Sequence, residues 1–161
     1  MSRSTVSMRI STAAVAFALV AGLSGCGGGG GTTTPTGGGG GGTQPTTVTN
    51  TLPTFTFNSV PPGVAVFTDI SVNGSGTLST TADWTFSSSD IDIYVTATSC
   101  AATNTNNLQS SCSAIGRTTS GTAKPERLTV NVAQGNYRLW IANFGPSTES
   151  GTLQASATVT R

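Results

Sequence analysis

Histidine is absent from all 161 residues, which excludes Ser-His-Asp and Cys-His nucleophile systems and the commonest general base near neutral pH. Lysine occurs once, at Lys124, so any Ser-Lys pair would depend on that side chain alone. Charge of either sign is scarce, at 8% of the residues against about 25% in an ordinary globular chain. Arg117, Lys124, Arg127, Arg138 and Arg161 are spread among six acidic residues. They form no basic stripe of the kind a phosphate backbone requires, and nucleic acid is excluded as a partner. The glycine blocks lack the Gly-Lys-Ser/Thr that completes a P-loop, and Glu126 and Glu149 are too far apart in sequence to define a glycosidase pair by themselves. The longest apolar run, Ile10 to Gly22, falls short of the roughly 20 residues of a membrane-spanning helix. Together these gaps point away from an enzyme.

What is present begins with that apolar run. Arg3 and Arg9 precede it, and Leu23-Ser24-Gly25-Cys26 closes it, an arrangement that resembles the lipobox of bacterial lipoproteins. The resemblance implies cleavage before Cys26, a diacylglyceryl group on its sulfur, and attachment to a membrane of the bacterial cell envelope through that lipid. One acyl chain anchors marginally and two or more hold stably. Gly27 stands where enteric lipoproteins carry the aspartate of inner-membrane retention, so the expected residence is the outer membrane if the host has two.

Cys100 and Cys112 remain as an even pair in a chain exported to an oxidising compartment, which reads as a disulfide. The rival is a zinc site, which would have to borrow carboxylates. Residues 26–51, with the blocks Gly27 to Gly31 and Gly37 to Gly42 and a Thr/Pro stretch after them, read as a flexible tether. About 25 such residues have an r.m.s. reach of roughly 25 to 30 Å. A single domain over 52–161 follows.

In that domain the apolar residues recur with period two, and no stretch shows a helical period. Val64, Val66, Thr68, Ile70 and Val72 share a face, and Asn73-Gly74-Ser75-Gly76 offers positive-φ residues for a tight turn. Leu78, Thr80, Ala82, Trp84 and Phe86 share the next face. Ile91, Ile93 and Val95 oppose Asp90, Asp92 and Tyr94, and Tyr137, Leu139 and Ile141 oppose Arg138, Trp140 and Ala142. Leu153, Ala155, Ala157 and Val159 close the series. About seven or eight short strands separated by turns predict an all-β chain, an antiparallel β-sandwich of jelly-roll or immunoglobulin-like type. On the opposing faces, Tyr94 and Trp140 either form an exposed ligand patch or pack beneath a loop.

The order of these segments resembles the bacterial pre-peptidase C-terminal domain, a small β-sandwich of exported proteins. The matching pieces are Gly76-Thr77-Leu78 with Asp83-Trp84-Thr85-Phe86, Asp90-Ile91-Asp92-Ile93-Tyr94-Val95, Glu126 to Val130, Gly135 to Leu139, and Ser150 to Leu153. The resemblance implies a non-catalytic module and raises calcium as a ligand of Asp90 and Asp92. Calcium takes six to eight oxygens, so Asp69, Asp83, Glu126 or loop carbonyls would complete the shell. Otherwise the two aspartates are solvated or cap a turn. The expected function is an envelope-anchored binding or adhesion module for protein or glycan. The alternatives are a structural lipoprotein of an envelope assembly and an accessory module of a secreted peptidase system.

Overall fold

Strands form wherever Thr, Val, Ile and aromatic residues alternate with polar ones, because a β-branched or aromatic side chain fits a pleated, half-buried surface. The computed structural model describes residues 44–121 and 123–161. The lipobox, Cys26 and the glycine blocks lie outside the described residues. Among the described residues, nine strands and one short helix follow one another: β1 Thr47–Thr51, β2 Phe55–Val60, β3 Ala65–Val72, β4 Ser75–Trp84, β5 Ile91–Ala97, α1 Thr105–Ser111, β6 Ala114–Arg117, β7 Glu126–Val132, β8 Gly135–Asn143 and β9 Glu149–Thr160. They pair antiparallel in two sheets, one ordered β1-β9-β4-β7 with β2 also on β9, the other β3-β8-β5-β6. The expected all-β sandwich is the fold found.

Its core is the set of inward positions that the alternation marks. Leu78, Ala82, Trp84, Leu153, Ala157 and Val159 from the five-stranded sheet meet Ile70, Ile91, Ile93, Val95, Leu139 and Ile141 from the other. Burying an aliphatic side chain of this size contributes roughly 1.5 to 3 kcal/mol. Phe86 departs from the predicted face. It follows the end of β4 and is exposed.

Three features differ from the sequence expectations. The domain starts earlier than residue 52, since β1 runs antiparallel to the end of β9, with Thr47 opposite Thr160 and Thr51 opposite Ser156. Thr and Val at alternate positions suffice for an edge strand, although the composition there blends into the tether. Second, Asn73 to Gly76 is not a positive-φ hairpin turn. It carries the chain from β3 in one sheet to β4 in the other, and Gly63 is the positive-φ glycine among the described residues. Gly76 serves close approach instead, because a Cβ there would run into the carbonyl oxygen of Thr158.

Third, α1 fills part of the Cys100 to Cys112 loop. Its seven residues carry one buried apolar side chain, Leu108, too few to show a helical period, and Asn104 caps it by accepting from the Asn107 N–H at 2.8 Å. The two cysteines are joined as a disulfide, as expected, with Cα atoms 5.5 Å apart. Loop and helix lie against the outer side of the four-stranded sheet, where Leu108, Cys100 and Ala102 pack on Tyr94, Trp140, Ala65 and Ala142. The sandwich is therefore covered on one outer face and open on the other.

Candidate functional site

The aromatic patch does not exist as a surface. Tyr94 is 1% exposed and Trp140 0%, both beneath the disulfide-closed loop. An alternating strand puts them on the side away from the main core, but here that side has its own cover. Each polar tip has a partner: the Trp140 N–H donates to Thr96 Oγ1 at 3.0 Å, and Gln109 donates to the Tyr94 hydroxyl at 3.3 Å. Phe67 lies over Trp140 with ring centroids 4.8 Å apart and is itself partly exposed. Arg138 stacks on Phe67 at 3.7 Å, donates to both carboxylate oxygens of Asp69 at 2.7 and 3.0 Å, and reaches the Cys100 carbonyl. This arrangement ties the loop to β8 and β3. It holds Asp69 below the usual carboxylate range, chiefly through the Arg138 hydrogen bond.

Asp90 and Asp92 do come together with a third acid, Glu126. Asp92 is an outward residue of β5, Asp90 directly precedes that strand, and Glu126 opens β7. Asp92 is 5% exposed and Glu126 2%. One oxygen on each of the three, Asp90 Oδ1, Asp92 Oδ1 and Glu126 Oε2, is buried without a hydrogen-bond partner. The connection between β6 and β7 lies alongside, around an open cavity of about 560 Å³ lined by Thr118, Thr119, Ser120, Ala123, Pro125 and Glu126.

Burial drives the electrostatics of this cluster. It pushes the Asp92 carboxyl up to about 7, aided by the charges of Asp90 and then Glu126 and opposed by Arg117. Burial also raises Asp90. Glu126 is raised by burial as well, while hydrogen bonds from the Thr118 hydroxyl and the Ser120 backbone pull it back. Thr118 holds the same junction from the other side, its hydroxyl oxygen accepting from the Ile93 N–H at 2.8 Å.

Such a group of acids invites a cation. Among the described residues no three His, Cys, Asp or Glu side chains are placed to hold a metal ion together.

The open outer face of the five-stranded sheet went unmarked in the sequence because Thr and Ser carry little individual signal. Its outward side chains fall in rows across four strands: Thr49, Thr158, Thr77 and Asn131 in one, Thr51, Ser156, Ser79 and Thr129 in the next, then Gln154, Thr81 and Arg127. The signal available was the alternation of Thr over 47–51 and of Ser and Thr over 75–81.

No family model matches the chain, and no curated protein matches it. Among solved structures it is similar to PliG of Aeromonas hydrophila, a periplasmic inhibitor of g-type lysozyme. The TM-score is 0.39 at 14% identity, over 73% of this chain and 89% of that one.

Proposed function

We propose that this chain is a lipid-anchored, non-catalytic binding module of the bacterial cell envelope, recognising its ligand through surface rather than through a cleft. The observation that carries the reading is the contrast between the outer faces of the sandwich. One is covered by α1 and the disulfide-closed loop, and the other presents mostly uncharged hydrogen-bonding side chains to solvent, with Asp83 and Arg127 among them. Support for the non-catalytic part comes from the acids. The most strongly perturbed carboxyl, Asp92, is enclosed where no substrate atom reaches it, and the chain has no histidine to partner a nucleophile.

The anchor rests on Leu23-Ser24-Gly25-Cys26 and is tested separately from the binding. With Cys26→Ser, palmitate labelling is expected to vanish and the precursor to escape signal peptidase II. Undiminished label in the variant would overturn the anchor. For the binding module, the detergent-solubilised chain is expected to retain a specific component of an envelope extract. Retention of nothing beyond what an unrelated lipoprotein retains would overturn that half.

A further inference from the structure

We infer that the open face of the five-stranded sheet is a docking surface for a neutral, polyhydroxylated polymer, a glycan without charged groups. The inference rests on the binding-module reading and names its ligand class.

The face is built by register. On β9, β4 and β7 most inward residues are core, β1 adds an edge, and alternation places Thr, Ser, Asn and Gln outward across the four strands. Antiparallel pairing then sets these side chains in rows, at about 4.8 Å from strand to strand and about 6.8 Å between alternate residues of a strand. Asp83 and Arg127 are the charged members, and no aromatic or large aliphatic side chain stands among them.

Each absence removes a class of partner. A protein interface is anchored by buried aromatic and Arg side chains at its centre, and this face has no aromatic to offer. Neutrality removes nucleic acid and anionic lipid surfaces. An amphipathic contact with membrane needs apolar residues, which are also missing.

What remains is a field of groups that both donate and accept. A hydroxyl has one donor and two acceptor sites, so lateral pairing leaves capacity unspent. Thr49 and Thr158 pair at 2.9 Å, Ser79 and Thr129 at 3.4 Å, and Thr77 donates to Asn131 at 3.4 Å. A sugar hydroxyl has the same two-way character and completes either kind of site.

The rows also surround a shallow depression of about 330 Å³, lined by Thr51, Ser79, Thr81, Arg127, Gln154 and Ser156. This lies at the lower end of small-ligand site volumes. Arg127 is oriented there by donating to Thr81 Oγ1 at 3.1 Å. Gln154 lies beside them and brings two donors and an acceptor of its own. The sheet twist of about 20 to 25° per strand rotates successive rows, which a chain polymer follows and a rigid ice plane does not.

The test uses the full chain in detergent and beads of dextran, mannan and chitin, at low and high salt. Retention on at least one bead type is expected, little changed by salt because the ligand carries no charge. Ser79→Val combined with Gln154→Val keeps strand propensity and is expected to lower retention at least tenfold. Thr68→Val, on the other sheet, is expected to leave it unchanged. No retention on any bead, retention equal in the double variant, or thermal hysteresis of ice growth would overturn the glycan assignment. Specific capture of an envelope protein without any glycan would overturn it too, while leaving the binding-module reading in place.

Discussion

Asp92 is the side chain that ties the stability of this domain to pH. Its carboxyl shifts from 3.8 to about 7 on folding because the site is buried and Asp90 and Glu126 stand nearby. A folded-state value above the unfolded one means that the folded chain binds the proton more tightly. The stabilisation is fully present below about pH 4 and is lost as the pH rises through about 7. At about 1.4 kcal/mol per unit, the difference across that window is on the order of 4 kcal/mol. Asp92→Asn is expected to raise the melting temperature at about pH 8, where the wild-type carboxylate is forced to ionise, and to change it little at about pH 4. Thermal melts of the two proteins across that range check this, and a wild-type melt independent of pH would refute it. Calcium and chelator are expected to give the same curve, since among the described residues no three acids are placed to share an ion. A shift of roughly 8 °C or more with millimolar calcium would instead show calcium bound at Asp90 and Asp92. The Asp90-X-Asp92 spacing was visible in the chain. Glu126 stood there only as one of three candidate acids beside Asp69 and Asp83, because it is the packing of the two sheets, not residue order, that brings β7 against β5.

Among the elements, the loop from Cys100 to Cys112 makes the four-stranded sheet different from its partner. It seals Tyr94 and Trp140 from water, and Arg138 fastens it to β8 through the Cys100 carbonyl. Closing a loop of this length stabilises a fold by about 3 kcal/mol in the chain-entropy account. Cys112→Ala is expected to lower the unfolding free energy by about 2 to 4 kcal/mol and leave the strands formed, since β5 pairs with β8 without the loop. Denaturant titration followed by far-UV circular dichroism measures the loss. Trp140 fluorescence should become more accessible to quenchers in the variant, and unchanged quenching would show that the loop is not the cover.

At this scale the alternating faces and the paired cysteines could be read directly from residue order. The helix could not, because six polar residues around Leu108 are held by a cap and a disulfide rather than by an apolar stripe. Nor could the fate of Tyr94 and Trp140. Alternation assigns a residue to one of two faces but says nothing of what covers either face.

For the whole molecule, the decisive fact is that strands far apart in sequence lie side by side. β9 pairs with β1, β2 and β4, so the last strand holds together residues from Thr47 to Trp84. β1 and β2 share one edge of it, β2 on Glu149 to Leu153 and β1 on Ser156 to Thr160. The Thr46 N–H donates to the Arg161 carbonyl at 2.9 Å, and the Arg161 N–H donates back to Thr46 at 3.0 Å, closing the ladder at its end. A chain beginning at residue 52 would strip β1 and leave half of β9 as a bare edge, whose free N–H and C=O groups invite pairing with another copy. Such a chain is expected to unfold at lower urea and to scatter light at concentrations where a chain beginning at residue 44 does not. Equal midpoints and equal scattering would show that β1 is dispensable. Thr47–Thr51 therefore belong to the sandwich, five residues earlier than the sequence boundary at 52, and the comparison of the two chains measures what that edge strand contributes.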